Sequence, residues 1–447
     1  MQRMSNKPRL IAFNLPQYHA IPENDAWWGK GFTEWTNVKK APSLFPGHYQ
    51  PRVPADLGYY NLLDPHVRDE QARLARDAGI FGFCYYHYWF NGKLLLEKPL
   101  HDMLELGKPD LPFCLCWANE PWTRAWDGRS GEVLLPQKYG AKDDEAHIKY
   151  LKRFFQDPRY IRIDGKPVFL IYKSKKIPDI KQTTATMRKY ARELGIGEIY
   201  LCRVETYSAP GEHIEPSEDG FDAAVQFEPD WLMLGKKLEG PEYGTHSVYT
   251  YKEMMRYFLT KPRAPYTSFP SVFPSWDNSA RRKREAIIFL DSKPEFYQFL
   301  LTMMLQEVKR NKPDEQIVFI NAWNEWGEGN YLEPDTRFGH GYLEATRAAL
   351  NNLDSGEYAM LHDLFVHIRT EQCRLQKSLQ TFSTRLSDRE AELLRRTNEY
   401  EAEIAKARVF QQNLLREIDA FRAESKTQRS ELDALRSRSL IRRLLNK

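Results

Sequence analysis

No stretch of the sequence holds eighteen consecutive uncharged apolar residues, which argues against a membrane-spanning helix. The opening MQRMSNKPRLIAF reaches its first apolar run too late, and too briefly, for a secretory leader, so the expectation is a cytoplasmic chain. No Gly-x-Gly-x-x-Gly or Walker motif opens a helix, which removes the usual dinucleotide and P-loop sites. Asp-x-Asp, the motif a metal-dependent nucleotide-sugar transferase normally shows, is also missing, and no metal or other cofactor is expected. Cysteine is scarce: there are five, an odd number, and Cys114 and Cys116 alternate within the strand-like PFCLCWA, so reduced, buried thiols are expected rather than disulfides. The net charge is only +4, and it is uneven. From Glu371 onward 17 Lys or Arg stand against 12 Asp or Glu, which leaves 48 against 49 in residues 1–370. A neutral body with a mildly basic tail lacks the clustered basic face that nucleic acid requires, and nucleic acid is set aside as a partner.

What the body does have is a series of short β-branched and aromatic runs: RLIAFN (9–14), IFGFCYY (80–86), PFCLCWA (112–118), PVFLIY (167–172), EIYLCRV (198–204), DAAVQF (222–227), SVFPSW (271–276) and QIVFINAW (316–323). Helix-patterned segments lie between most of them. In DPHVRDEQARLARDAG (64–79), Asp64 suits the cap, Pro65 the first turn and Gly79 the exit. Eight nearly continuous apolar strands alternating with helices predict an α/β fold, a (β/α)8 barrel with long loops, over residues 8–354. An open doubly wound sheet is the runner-up.

Active sites of such barrels lie at the carboxyl ends of the strands. Polar and aromatic residues collect there: Tyr85, Tyr86, His87, Tyr88 and Trp89 after the second strand; Trp117, Asn119, Glu120 and Trp122 after the third; Glu228 after the sixth; Trp276 and Asn278 after the seventh. The last strand runs into NAWNEWGEGNYLEPD, which sets Glu325 and Glu328 three residues apart among Trp323, Asn324 and Trp326. Flat rings match the C–H faces of pyranoses, while Asn, His and Glu bind hydroxyls. Two carboxylates can then act on a glycosidic bond, one as acid and the other as base or nucleophile.

The segments LPQYHAIPENDAWWGKGFTEWTNVKKAPSLFPGHYQPRVPADLGYY, GFCYYHYWFNGKLLLEKPL, LPFCLCWANEPWTRAWDG and NAWNEWGEGNYLEPD together resemble the WbsX-type family, over roughly residues 8–350. Members of that family are labelled glycosyltransferases of O-antigen and other surface-polysaccharide clusters and are grouped with family-99-like glycoside hydrolases. In the related hydrolases, endo-acting α-mannosidases on a (β/α)8 barrel, an Asn-Glu-Trp-x-Glu segment carries both catalytic acids. The resemblance implies retention: Glu325 as the base that deprotonates the sugar 2-hydroxyl, a 1,2-anhydro intermediate, and Glu328 as acid to the leaving group and then base to the acceptor. Tyr18, His19, Trp27, Trp28, Glu34, Trp35, Tyr86, His87, Trp117, Asn119, Glu120 and Trp122 match the family's motifs, and the expectation for them is subsite walls and hydroxyl ligands. Gly327 departs from the hydrolase pattern, where a bulkier residue such as His is usual. The expected substrate is an oligosaccharide or lipid-linked glycan. A plain endo-glycosidase and a non-catalytic glycan-binding scaffold are the alternatives.

After residue 370 proline disappears and charge dominates. A heptad series runs through Leu379, Leu386, Leu393, Tyr400, Ala407, Leu414, Phe421, Gln428 and Leu435. Residues 355–447 are therefore expected as a long helix, coiled-coil-like, that can serve a homo-oligomer. Its basic end, RSRSLIRRLLNK, suits a peripheral membrane contact or a partner protein.

Overall fold

The run RLIAFN forms β1 (Arg9–Asn14), buried at every residue after Arg9. Apolar side chains on both faces suit a parallel strand covered on both sides. In the computed structural model, which describes residues 7–124, 129–206 and 214–445, β1 is joined by β2 (Gly82–Phe90), β3 (Phe113–Trp117), β4 (Lys166–Ile171), β5 (Tyr200–Glu205) and β6 (Ala223–Gln226). The seventh position is split into β7 (Ser268–Phe269) and β8 (Ser271–Val272), and β9 (Ile317–Ile320) fills the eighth. The order around the sheet is β7-β6-β5-β4-β3-β2-β1-β9-β8, parallel at every step.

Pro270 divides the seventh strand because it has no N–H to give the ladder. Its carbonyl still accepts from Phe319 N at 2.9 Å. With β7 on β6 and β8 on β9, the ring closes through that residue, and the (β/α)8 barrel expected from the sequence is the fold observed. Several strand limits differ from expectation, most at the second and seventh strands and at the eighth, which stops at Ile320. The seventh begins at Ser268, and the segment Phe273–Trp276 lies beyond it. β2 continues to Phe90 because its end pairs with the short antiparallel strand Lys93–Leu95.

Helices cover the barrel. Asp64 caps Pro65–Asp77 by accepting from His66 N at 2.9 Å, and Ala72, Leu74 and Ala75 are buried. Gly79 ends the chain's turn at φ +84°, where an added Cβ would lie 2.4 Å from Leu350 Cδ1. Four cysteines are buried within the sheet, Cys373 is partly exposed, and none is paired.

The last helix runs from Gly356 to Leu445. Where the sequence puts the boundary at 354, the compact body extends through Arg369, because the first turns of this helix dock on it. Arg369 and His362 reach Glu307 at 2.7 and 3.1 Å. Thr370 onward is a second unit. The side chains of the basic end from Ser437 lie outside the described residues. Among the described residues no helix is long and apolar enough to cross a membrane.

Candidate active site

β9 delivers the chain into a tight hairpin in which Asn324–Glu325 pairs antiparallel with Asn330–Tyr331. A single 3-10 turn, Trp326–Glu328, joins them, closed by Gly329 at φ +59°. A 3-10 turn has three residues, so side chains at i and i+3 eclipse. Glu325 stands at the cap of this turn and Glu328 at its end, and both carboxylates reach one guanidinium, so they lie on one side of the loop. A side chain at 329 is doubly excluded, since its Cβ would lie 2.8 Å from the Arg52 guanidinium carbon.

That side is met by Arg281. Its Nη2 bonds Glu325 Oε2 at 2.7 Å, its Nη1 bonds Glu328 Oε1 at 2.8 Å, and its Nε bonds Glu34 Oε1 at 2.7 Å. Arg281 is held by the turn Asn278–Ala280, which Asp277 caps by accepting from Ser279 N at 3.0 Å. Asp277 in turn is bonded by His48 Nε2 and Gln50 Nε2, both at 2.9 Å, and its own N–H donates to the Glu328 carbonyl at 2.7 Å. The arginine loop and the carboxylate loop are thus stitched together.

Three carboxylates share one guanidinium in a site where the Glu325 side chain is 7% exposed and that of Glu328 23%. Burial pushes Glu325 up to about 8; Arg281 opposes the rise, and the neighbouring Glu328 and Glu34 add to it. Burial also raises Glu328, against Arg281. Like charges this close do not ionise independently, so the two titrate as a pair that retains a proton well above the ordinary carboxylate range.

Glu34 opens the short helix Glu34–Val38, whose cap Thr33 forms a reciprocal box with Thr36, and it is fully buried. A Cβ on Gly327 would fall 1.7 Å from Glu34 Oε1. The departure at Gly327 has its explanation here: the volume a side chain would take is filled by the Glu34 carboxylate.

Around this cluster β2 alternates. Tyr86 faces inward, stacked on Phe13 at 5.6 Å and edge-on to Tyr172 at 6.3 Å. Tyr88 is the next inward residue, edge-on to Trp122 at 5.4 Å. Burial raises the pKa of Tyr88 and Tyr172; the charges of Glu325 and Glu34 add to it at Tyr88, and those of Glu120, Glu328 and Glu325 at Tyr172, so both hydroxyls lie within electrostatic reach of the carboxylates. Trp27 lies 5.7 Å from Trp122, and the Arg124 guanidinium covers Trp28 at 5.6 Å. Trp27, Trp28, Tyr88 and Trp122, all partly exposed, form an aromatic rim, and Glu120 is exposed beside Tyr172 and Lys173.

Other residues expected at the mouth are buried and engaged within the protein. His87 points outward to the helix Ala141–Phe155, with Nε2 2.9 Å from His147 Nε2 and its ring stacked on Tyr150; burial lowers it to about 3. His19 places Nδ1 3.1 Å from the Pro16 carbonyl and is lowered by burial to about 4. Trp117 is fully buried and donates to the Trp89 carbonyl at 3.0 Å, and Trp323 is fully buried against Phe83. Trp326 stacks on Tyr331 at 3.7 Å and donates to Glu333 at 2.6 Å. Tyr18 donates to the Asn324 carbonyl, and Trp35 to that of Tyr60 at 2.8 Å. Asn324 exchanges bonds with the Leu15 backbone at 2.7 and 3.0 Å, and Asn119 does the same with Lys173 at 2.7 and 3.0 Å. Each asparagine ties the exits of two adjacent strands. Glu228 is buried in an ion pair with Lys261, and Trp276 is buried against Trp231. Asn278 accepts from Ile287 N at 2.8 Å.

Sequence reasoning missed Arg281. It opens the run RRKR, which reads as solvated charge, and its only sign was a position shortly after the seventh strand.

The sequence profile of the family described as Glycosyltransferase WbsX matches residues 10–346. Two proteins named WxcX, from two strains of Xanthomonas campestris pv. campestris, are 46% identical over 347 residues, which is 76% of this chain and 49% of each of theirs. The chain thus spans about half the length of these curated relatives. Among solved structures, a glycoside hydrolase-like protein superposes with a TM-score of 0.50 at 14% identity, covering 78% of this chain and 96% of that one, a likeness of fold alone. A GH99 endo-α-mannosidase from Bacteroides thetaiotaomicron gives 0.47 at 16% identity, over 78% and 98%. With a match that spans its whole barrel from β1 past β9, the chain belongs to the WbsX family.

Proposed function

We propose that this chain acts on a glycosidic bond with retention, through Glu325 as base and Glu328 as acid, on an α-mannoside-like oligosaccharide or lipid-linked glycan of surface-polysaccharide assembly. The observation that carries this reading is the pair of acids one turn apart at the carboxyl end of β9, both bonded to one arginine, with the aromatic residues Tyr88 and Trp122 at the same end of the barrel.

The pair's single proton, which burial alone would leave on Glu325, must reside on Glu328 when substrate binds; Glu325 then takes the proton of the sugar 2-hydroxyl, and that oxygen attacks the anomeric carbon. The glycosidic bond breaks as Glu328 protonates the leaving oxygen. Glu325 is then neutral and Glu328 charged. In the second half Glu328 takes a proton from the acceptor hydroxyl, whose oxygen opens the 1,2-anhydro ring, and Glu325 returns its proton to the 2-oxygen. The pair carries one proton and one negative charge throughout, and only the location of the charge changes. Arg281 is bonded to both members, so its cation faces the carboxylate in either state without reorganising. Glu34, on the third guanidinium nitrogen, fixes the orientation of the plane. A sugar acceptor against the Trp122 side of the rim gives transfer. Water gives hydrolysis, and the partly exposed Glu328 side chain leaves water a route.

The test is incubation with α-mannosides and lipid-linked oligosaccharides, in EDTA, with and without acceptor, followed by NMR and mass spectrometry. Retained products without metal are expected. An inverted first product, or strict dependence on a nucleotide sugar and a divalent metal, overturns the reading.

A further inference from the structure

The unit that starts at Thr370 is a continuous helix through Leu445, and among the described residues its large apolar side chains are exposed, from Ile418 at 41% to Phe421 at 76%. From residue 400 on, most of them are ordered. Ile404, Leu414, Ile418, Phe421, Leu432 and Leu435 occupy one stripe at the alternating three- and four-residue steps of a heptad. Gln411, Ser425 and Gln428 are its polar members.

The rows beside the stripe are sorted by charge. On one flank stand Glu403, Glu417, Glu424 and Glu431; on the other stand Arg408, Arg422, Arg429 and Arg436. Phe410 interrupts the first row and Leu415 the second. When two such helices run parallel in register, each residue of the first row faces the residue five positions later on the partner. Every pairing is then complementary: Glu403 with Arg408, Phe410 with Leu415, Glu417 with Arg422, Glu424 with Arg429, and Glu431 with Arg436. An antiparallel pair sets the Glu row against itself and the Arg row against itself. Sliding by one heptad sets Glu403 against Glu401 in one direction, and Phe410 against Arg422 in the other. The complementarity lies within one sequence, which selects an identical helix over a foreign partner.

We propose that the helix pairs with a second copy of this chain over residues 400–436 as a parallel, in-register, two-stranded coiled coil. Branched Ile404 and Ile418 alternating with Leu414 and Leu435 is the pattern of two strands, and the polar seam positions hold the register at a cost in stability. The inference stands apart from the proposed chemistry.

The test uses the full chain in a Cys373→Ser background, since the other four cysteines are buried. Ser425 lies in the seam and Ser430 on the far face. Ser425→Cys is expected to give a disulfide-linked dimer under mild oxidation, and Ser430→Cys is not. By sedimentation equilibrium the wild-type chain is expected at twice 52.6 kDa. Reversing Glu417, Glu424 and Glu431 to Arg together is expected to weaken association about 10- to 100-fold, as six rim pairs turn repulsive. Adding Arg422→Glu, Arg429→Glu and Arg436→Glu restores it. A monomer at the highest soluble concentration, a trimer, a Ser425→Cys chain that does not cross-link, or charge reversal without effect overturns the proposal.

Discussion

The loop after β9 carries four acids in two halves, and the halves are solvated differently. In the second half, Glu333 accepts from Tyr60 Oη at 2.9 Å, Gln71 Nε2 at 2.7 Å and Trp326 Nε1 at 2.6 Å, while Asp335 accepts from Tyr331 Oη at 2.8 Å and Phe338 N at 2.6 Å. These donors are neutral and fixed, and all but the half-buried Phe338 N are buried. In the first half, Glu325 and Glu328 each give an oxygen to a cation they share. Neutral donors lock a carboxylate in place, whereas a shared cation lets charge pass between two of them. Carboxylates a few residues apart are thus divided, by what surrounds them, into a scaffold and the pair proposed to carry the chemistry.

The largest break in this comparison is expected from Arg281→Ala, which leaves three carboxylates without their cation. Removing one partner of a buried pair costs about 3–5 kcal/mol. The melting temperature should fall steeply and turnover should vanish, as calorimetry and a product assay will show. Next is Glu333→Gln, which sets an amide N–H against three donors at a cost of about 1–3 kcal/mol. Turnover per folded molecule should stay near wild type, so a stable but inactive Glu333→Gln would merge the two halves.

Gly327→Ala sharpens the boundary of the working half. Its methyl enters the Glu34 carboxylate, at a cost of about 1–3 kcal/mol from overpacking. Glu34→Ala in the same chain should recover part of that loss, because the two share one volume. Denaturant titration of the two singles and the double checks this, and strict additivity would contradict it.

The smallest effect is in pH. Burial raises Glu325 from 4.5 to about 8, so the folded state binds its proton more tightly than the unfolded chain does. Stability from this source is full below pH 4.5 and is lost as pH rises through 8. Glu333, raised by burial to about 7, behaves alike over a narrower window. Glu325→Gln should flatten the fall in melting temperature toward pH 8, and Glu333→Gln should flatten it only up to about pH 7. Equal profiles would place both acids in one kind of environment.

The barrel was legible because its strands are apolar on both faces and so stand out as runs. The seventh was displaced because Pro270 divides it into two-residue pieces too short to show as a run. Ending β2 at Tyr86 hid its alternation, so His87 was expected beside Tyr86 when it faces the opposite way. Asn119 and Asn324 fit a sugar-ligand pattern by type and place, yet a side-chain amide matches a strand exit's unpaired backbone equally well. The common face of Glu325 and Glu328 depends on a 3-10 turn that the spacing Glu-x-x-Glu does not specify. Arg281 pairs with residues 44 and 247 positions away in sequence, and no local pattern records that.

The central claim is that Glu325 and Glu328 do the work while Glu333 holds the loop. It is tested most directly by turnover of Glu325→Gln, Glu328→Gln and Glu333→Gln on one glycan substrate, each normalised to its folded fraction. The account predicts a fall of about 100- to 10,000-fold for the first two, with melting temperatures close to wild type, and little change for the third. Wild-type rates in Glu325→Gln and Glu328→Gln, or a loss in Glu333→Gln equal to theirs, would contradict it.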